Sequence, residues 1–490
     1  MVGATFVVYV CLVVGIGYVA YRRTKNLSDY ILGGRRLGSW VTALSASASD
    51  MSGWLLLGLP GYAYAAGLEA GWIALGLLIG TYFNWRLVAA RLRHFSFIAG
   101  DSQTLPEFFE KRFHDESRLL RVVSAIFILL FFLFYTSSGL VAGGKLFNAV
   151  FDLPYHWAVT VGALVIVIYT FFGGFLAVSW TDLFQGLLMA LALLIVPVMA
   201  ISNLGGWGAT LSTVSEINPA FLNALTNIKS EPLGLLATAS LVAWGLGYFG
   251  QPHILARFKA IRLVADIPAA RRIAVSWVSI TLLSAVLIGL VGIGYLEQPL
   301  QGADTEKVFI LLVDALFHPV IAGICLAAIL AAIMSTADSQ LLVSVAAFTS
   351  DLYQPLFRRS ASEQELMWTG RFAVLLIAII ALVLAWNPER KVLDLVAYAW
   401  AGFGAAFGPA LILSLYWRRM NCSGALAGIV VGGLTVIIWK QLGGGLFDLY
   451  EIVPGFIFSL LSIVVTSLLT RAPEKAVLQD FDKVSEDFAG

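Results

Sequence analysis

The stretch SASASDMSGW, residues 45–54, interrupts an otherwise apolar segment that is long enough to cross a bilayer. The ionisable Asp50 is unexpected there, because a charged side chain at the centre of a membrane helix costs about 2.5–3.5 kcal/mol on insertion scales. Helical hydrogen bonds can be broken inside a membrane only where the backbone is buried in protein or lines a wet cavity. The serines and Gly53 therefore predict a weakened helix over residues 45–53 that borders a cavity.

A helix break of this kind offers two sorts of polar group. Carbonyl oxygens at the end of the first half suit a small cation, and N–H groups at the start of the second half suit a carboxylate. One break can thus hold an ion and a substrate together. The alternative is that the serines and Asp50 only hydrogen-bond to a neighbouring helix, as isolated polar residues in membrane spans do.

The whole chain has the composition of an integral membrane protein. Of its 490 residues, 59% are hydrophobic and 12% are charged, against about 45–50% and about 25% in soluble proteins. The net charge of +1 argues against nucleic-acid binding, which requires a concentrated basic face. Three scattered cysteines, Cys11, Cys325 and Cys422, indicate neither a disulfide framework nor a metal site.

Apolar stretches predict thirteen membrane helices in one transmembrane domain, residues 1–490, with no soluble domain. The stretches begin near residues 3, 38, 70, 120, 156, 179, 233, 272, 319, 370, 392, 423 and 451. Basic residues follow the first stretch rather than precede it, which indicates a retained helix with its N-terminus outside and not a cleaved signal peptide.

The distribution of basic residues supports this count. With the N-terminus outside, most of the 31 lysines and arginines fall on the cytoplasmic side, as the positive-inside rule requires. This assignment places Arg257 and Lys259 in a cytoplasmic connection and Lys145 on the outer side. The polar tail, residues 472–490, is expected in the cytoplasm.

A second interruption, AWGLGYFGQPH at residues 243–253, breaks the seventh span. The two breaks open two successive groups of five helices, residues 38–201 and 233–418. Interrupted helices at corresponding positions of two halves are typical of inverted-repeat transporters, whose binding site lies at the membrane midplane. Trp244 and Tyr248 lie four residues apart on one face and can cover a small ring, although ordinary aromatic packing explains them equally well.

A third polar group, LAAIMSTADSQ at residues 330–340, lies in the ninth span. Ala332, Ser335, Thr336 and Ser339 share one helical face. Hydroxyl and carbonyl oxygens without thiolate or imidazole suit a hard cation. Serines that bond back to their own helix are the alternative.

With these stretches in view, the chain resembles the sodium/solute symporter family, and most strongly its proline-transporting members. The matching motifs are SDYILGGR (28–35), LSASASDMSGW (44–54), GGFLAVSWTD (173–182), WGLGYFGQPHILARF (244–258), AAIMST (331–336) and YAWAGFGAAFGP (398–409). The resemblance implies an all-α membrane protein with a LeuT-type 5+5 inverted repeat, one extra N-terminal helix and two extra C-terminal helices.

The resemblance also implies a function and its site. The function is sodium-coupled symport of L-proline into the cell by alternating access, with Na⁺ as the coupling ion, in a bacterial-type inner membrane and with no obligate protein partner. The implied sodium ligands are Ala48, Met51, Ala332, Ser335 and Thr336. The implied proline-site residues are Ser52, Gly53, Trp54, Tyr135, Trp244, Tyr248 and Pro252.

Four further residues are implied in ion coupling. Asp50 matches an aspartate that is important for sodium coupling in the family. A second cation site found in some members maps to Asp182, Asp338 and Ser339, and Asp338 replaces a neutral residue of many relatives. Because a second carboxylate can strengthen a cation site or take up a proton, the stoichiometry stays open, with one sodium per proline expected.

Four other functions are alternatives to this one. A proton-coupled transporter would use Asp50 or Asp338 as its carrier, and a sodium-coupled transporter could take another small solute. An ion channel is disfavoured because no TVGYG-type filter is present. A membrane enzyme is disfavoured because the five histidines show no metal-ligand spacing such as H-E-x-x-H.

Overall fold

The computed structural model describes residues 1–21, 32–172 and 175–488. Outside the described residues lie three basic residues of the first connection, Arg22, Arg23 and Lys25. The beginning of the SDYILGGR motif and the two glycines of GGFLAVSWTD lie outside them as well. Within those residues the chain is helical, and extended pairing is confined to two isolated bridges, Leu37 with Ile261 and Thr226 with Pro232.

In the first half of the chain, the described residues form nine α-helices before the long connection near residue 205. They are α1 (Val2–Tyr21), α2 (Ser39–Asp50), α3 (Leu59–Ala66), α4 (Gly71–Phe83), α5 (Ala89–Ile98), α6 (Leu105–Arg112), α7 (Leu119–Phe151), α8 (Tyr155–Phe172) and α9 (Phe175–Asn203). π-helical turns at Trp54–Gly58 and Asn84–Val88 lead into α3 and join α4 to α5.

The second half continues with twelve α-helices. They are α10 (Trp207–Ile217), α11 (Leu235–Val242), α12 (Pro252–Ala260), α13 (Ile267–Tyr295), α14 (Val308–Leu316), α15 (Pro319–Ala346), α16 (Gln354–Leu356), α17 (Glu363–Leu384), α18 (Val392–Tyr416), α19 (Cys422–Trp439), α20 (Ile452–Leu469) and α21 (Lys475–Asp487). A 3₁₀ segment, Ala243–Gly250, follows α11, and Gln251 separates it from α12.

Every expected span lies on one or two of these helices, with α2 and α3 forming the second span and α11 and α12 the seventh, and further helices such as α6, α10 and α14 lie between the spans. In the described part of the chain, nine helices are long and apolar enough to cross a membrane, and the other spans are shorter apolar helices or half-helices. Large apolar side chains face outward on them. On α9, for example, Leu187, Leu191 and Val198 are each at least half exposed, which suits contact with lipid.

The same contacts between helices occur in both halves of the chain, as in an inverted repeat. Each broken span contacts the fifth helix of its own half: α2 packs on α9, and the Ala243–Gly250 segment packs on α18. Each also contacts the second helix of the other half, since α3 packs on α13 and the same 3₁₀ segment on α4. The third helices, α7 and α15, cross each other. Both broken spans therefore lie at the interface between the repeats, where transporters of this class bind their substrates.

Three basic residues are buried in helices. Arg257 and Lys259 lie in α12 and are 0% and 1% exposed, and Lys145 lies in α7 and is 3% exposed. The assignment of Arg257 and Lys259 to a connection is therefore wrong, and the placement of Lys145 on the outer side stays a prediction. Each has polar partners inside the protein that offset the cost of burying its charge, as in the 2.5 Å ion pair between Lys145 Nζ and Glu306 Oε2.

The tail is a docked amphipathic helix. Val477, Phe481 and Val484 fall on one face of α21 and are at most 7% exposed. The Phe481 ring lies 6.5 Å from that of Phe95 in α5. Contacts between basic and acidic side chains hold the polar side: His94 with Asp487, His114 with Asp480 and Arg418 with Asp482.

Candidate functional site

The break in the second span is narrower than expected. Residues 45–50 remain helical, and only Met51 and Ser52 leave the helix before it restarts at Gly53. The expectation that the helix is weakened over 45–53 is therefore wrong for its first six residues. The reason is that Ser45 and Ser49 direct their hydroxyls to a neighbouring helix, at Asp182, and do not compete with their own backbone.

Gly53 is required at this break by close packing. A Cβ at this position would lie 2.7 Å from the Cβ of Ala142 in α7 and 3.3 Å from Cγ1 of Ile333 in α15. The second half of the span thus begins wedged between the third helices of the two repeats. Any side chain there would push the break away from both.

Four of the five expected sodium ligands lie together around the carbonyl oxygen of Ala48. The Ser335 hydroxyl donates to it at 2.9 Å and contacts the carbonyl of Ala332 at 3.1 Å. The Thr336 hydroxyl lies 3.4 Å from the Ala48 oxygen. These oxygens belong to α2 and α15, are buried, and include no soft ligand, so they form a set that suits an alkali cation. Met51 follows α2 directly and is fully buried.

Asp50 is held by aromatic side chains on the other side of the break. The Tyr248 hydroxyl donates to Asp50 Oδ2 at 2.7 Å. The Tyr135 hydroxyl and the Trp54 indole N–H donate to the Asp50 carbonyl at 2.9 and 3.2 Å. Asp50 Oδ1 is buried without a hydrogen-bond partner. The carboxylate therefore ties the second span to the seventh, the two broken helices.

Aromatic rings pack against one another next to this carboxylate. The rings of Trp54 and Trp244 lie 6.3 Å apart, and Trp244 stacks on Tyr450 at 5.5 Å. The Trp400 indole packs edge-on against Tyr248 at 5.0 Å and donates to the Trp244 carbonyl at 2.7 Å. All five are less than 10% exposed. Three of the predicted proline-site aromatics, Trp54, Trp244 and Tyr248, thus form one buried cluster with Trp400 and Tyr450.

Pro252 and Ser52 are also among the predicted proline-site residues. Pro252 is the first residue of α12, where a missing N–H costs nothing, and the preceding Gln251 has an extended backbone. Ser52 lies in the break itself, and its hydroxyl accepts from the Trp54 backbone N–H at 3.4 Å. The second expected break thus falls at Gln251, after a 3₁₀ segment rather than within the glycine run.

A separate buried cluster surrounds Asp182. Its Oδ2 accepts from the hydroxyls of Ser45 at 2.7 Å and Ser49 at 3.0 Å and pairs with Arg257 Nη2 at 3.2 Å. The Ser339 hydroxyl lies 2.8 Å from that of Ser49 and 2.5 Å from Arg257 Nη2. The predicted second-site residues Asp182 and Ser339 are therefore brought together, around an arginine.

Asp338 is fully buried on α15 beside Ser339. Every predicted site residue is thus placed on the broken spans or on the helices that flank them. The sequence reasoning missed Arg257, Ser45, Ser49, Trp400 and Tyr450 as site residues. The first four lie inside motifs quoted above, so the sequence contained a signal for each of them. Tyr450 lies in a stretch without such a motif.

Comparisons with known proteins agree with this architecture. The sequence profile of the sodium:solute symporter family matches residues 30–432. A sodium/proline symporter of Salmonella typhimurium is 51% identical over 490 residues, covering 99% of this chain and 96% of the relative. A high-affinity proline transporter of Bacillus subtilis is 52% identical over 468 residues, covering 95% and 98%.

Solved structures show the same fold. A sodium-coupled sialic acid symporter in its substrate-bound outward-open state superimposes with a TM-score of 0.79 at 20% identity, covering 97% of this chain and 99% of the symporter. Mhp1, a nucleobase-cation-symport-1 family transporter, superimposes with a TM-score of 0.53 at 13% identity, covering 94% and 99%. With two broken spans at a repeat interface and a profile match over most of its length, the chain belongs to the sodium:solute symporter family.

Proposed function

We propose that this protein couples the inward movement of Na⁺ to the uptake of L-proline. The observation that carries the choice of solute is the 51% identity over 99% of the chain with a relative named as a sodium/proline symporter. The site supports the same choice, because it combines a hard-cation ligand set with a buried aromatic cluster large enough to cover a small ring.

Sodium is proposed to bind at the end of α2. Its ligands are the backbone oxygens of Ala48, Met51 and Ala332 and the hydroxyls of Ser335 and Thr336. A hydroxyl that donates to the Ala48 carbonyl can rotate its proton away and offer a lone pair to the ion. Binding of the ion then fixes the first half of the broken span against α15.

Proline is proposed to bind on the other side of the break. Its carboxylate would accept from N–H groups near Ser52 and Gly53, where the helix restarts. Its apolar ring would pack against the rings of Trp54, Tyr135, Trp244 and Tyr248, close to Pro252. Asp50 joins the two sites, since its main chain lies beside the sodium ligands and its carboxylate contacts Tyr248.

Transport requires this sealed site to open to each side in turn. Asp50, Trp54 and Tyr135 are each 1% exposed, so the binding region is closed to solvent. Rocking of one repeat against the other is the expected motion. One charge moving down about 100 mV yields about 2.3 kcal/mol, and a tenfold sodium gradient adds about 1.4 kcal/mol. Together they sustain a proline gradient of several hundredfold.

We further propose the arrangement in the membrane. The protein spans a bacterial plasma membrane with its N-terminus outside and residues 472–490 in the cytoplasm. Residues 38–201 and 233–418 form the two repeats. The proposed activity is movement of proline without chemical conversion, in contact with lipid and without an obligate protein partner.

One observation favours proton coupling as a second candidate. Asp50 Oδ1 is buried without a hydrogen-bond partner, and a buried carboxyl oxygen in that situation is a natural place for a proton. Coupling through a protonated Asp50 would use the same break and the same aromatic cluster.

Radiolabelled proline uptake into proteoliposomes distinguishes the two. The proposal expects accumulation driven by an inward sodium gradient, enhanced by an inside-negative potential, and absent from empty liposomes. Other amino acids in excess should compete poorly. Accumulation driven by a pH gradient in sodium-free buffer would select proton coupling, and equal competition by other solutes would refute the choice of proline.

A further inference from the structure

Arg257 is a buried, positively charged residue on α12, the second half of the broken seventh span. Its side chain is 0% exposed, and all three guanidinium nitrogens donate hydrogen bonds. The acceptors are the Ser45 hydroxyl at 3.1 Å, the His253 carbonyl at 3.0 Å, Asp182 Oδ2 at 3.2 Å and the Ser339 hydroxyl at 2.5 Å. The Phe175 ring covers the guanidinium at 5.1 Å.

These acceptors are the ligand types of a hard cation. A carboxylate oxygen and several hydroxyls, without sulfur or imidazole, suit an alkali ion. Two of them, Asp182 and Ser339, were predicted from the sequence to hold a second transported cation. The guanidinium contacts both, so the carboxylate already has a positive partner that is covalently part of the chain.

This cluster shares its helices with the proposed sodium site. Ser45 and Ser49 flank Ala48 on α2, and the Ser339 hydroxyl donates to the Ser335 carbonyl at 2.8 Å. The guanidinium and the proposed sodium ligands are thus linked by one hydrogen-bonded turn of α15. A mobile cation entering the Asp182 cluster would meet the positive charge of Arg257 at contact distance.

We propose that Arg257 occupies the position of a second transported cation and thereby fixes the coupling at one sodium per proline. This inference rests on the proposed function and deepens it. Neutralising Arg257 leaves Asp182 as a buried carboxylate without its positive partner, a state that strongly favours recruitment of a cation. The hydroxyls of Ser45, Ser49 and Ser339 remain to coordinate it.

The test is the number of sodium ions per chain. Binding of radioactive sodium to purified protein, and the ratio of sodium to proline flux in proteoliposomes, are measured for wild type and Arg257→Gln. The expected result is one bound sodium and a flux ratio of one for wild type, and two for Arg257→Gln. Arg257→Lys, which keeps the charge, should stay at one. Arg257→Gln combined with Asp182→Asn, which removes both charges, should also return to one.

Several outcomes overturn the inference. Two bound sodium ions in wild type would do so whether or not any variant folds. A folded Arg257→Gln protein that still binds one sodium would do so as well. Failure of the proposed function gives a different result, because wild-type proteoliposomes would then show no sodium-driven proline uptake at all.

Discussion

The Ser335 hydroxyl contacts carbonyl oxygens from two different helices, Ala48 on α2 and Ala332 on its own helix α15. Single hydroxyls at such a junction decide whether the break can hold an ion. The family resemblance implied that residues 48 and 335 belong to one sodium site, whereas the helical spacing by itself indicated only a hydroxyl-bearing face on the ninth span that suits a hard cation. Trp400 and Arg257 lie inside quoted motifs and Tyr450 does not, but for none of the three does the sequence show which remote residues the side chain contacts.

Replacing Ser335 or Thr336 by alanine should weaken sodium binding. Each change removes one oxygen from the proposed ligand set, and hydrogen-bond-type contacts to charged groups are worth about 1.5–3 kcal/mol. We expect the sodium concentration for half-maximal proline uptake to rise about tenfold or more. Ser344→Ala is the matched control, since Ser344 is buried on α15 and its hydroxyl has no hydrogen-bond partner. Unchanged sodium dependence in both site variants would contradict the assignment.

Tyr248→Phe should weaken proline binding at saturating sodium. The change keeps the ring but removes the donor to Asp50 Oδ2, and a buried acceptor that loses its partner costs about 1–3 kcal/mol. Isothermal titration with proline should show an affinity roughly tenfold lower. Tyr155→Phe serves as the control, because it loses a hydrogen bond to the Ala385 carbonyl at a distant place. Equal affinities for wild type and Tyr248→Phe would remove this hydroxyl from the site.

At the scale of elements, the fold depends on places where two helices touch through glycine. Gly76 and Gly80 in α4 face Gly245 in the 3₁₀ segment so closely that a Cβ on Gly80 would overlap the Gly245 backbone. The sequence predicted that the seventh span is interrupted, from its glycines and Pro252. It did not predict that those glycines serve helix crossing while the chain turns extended only at Gln251, because close approach is a property of two segments and not of one.

Gly80→Ala should destabilise the protein at this crossing. The added methyl group forces the backbones of α4 and the 3₁₀ segment apart, and overpacking of this kind costs about 1–3 kcal/mol. We expect a lower thermal midpoint in detergent, by a few degrees, with impaired uptake. Gly208→Ala should leave the midpoint unchanged or raise it, because no atom lies within 4 Å of its Cβ position and α10 gains a better helix former. Equal midpoints for Gly80→Ala and wild type would mean that the crossing relaxes freely.

At the scale of the molecule, the helices and their inverted repeat could be predicted because lipid imposes strict rules on length, polarity and backbone hydrogen bonding. The loop charges were less informative. Lys145, Arg257 and Lys259 lie inside the fold, since a large membrane protein can pair buried charges with one another. The orientation proposed here therefore depends on the remaining basic residues and is open to direct measurement.

Cysteine labelling tests that orientation. In a protein in which Cys11, Cys325 and Cys422 are replaced, we expect Lys229→Cys to react with an impermeant maleimide in right-side-out vesicles. Arg359→Cys should react only in inside-out vesicles. Both side chains are exposed, so access depends on the side of the membrane alone. The reverse pattern would invert the proposed topology.

Three buried indoles lie close to the helix breaks, so the intrinsic tryptophan fluorescence of this protein reports on that region. Trp54, Trp244 and Trp400 are at most 6% exposed, whereas others of its tryptophans, Trp40, Trp157 and Trp368 among them, are more than 60% exposed. A lipid-phase quencher would suppress emission from the outward indoles and leave that of the buried indoles, which are these three together with Trp85 and Trp277. Ligand titrations could then be followed by intrinsic fluorescence, with no dye attached and no engineered label.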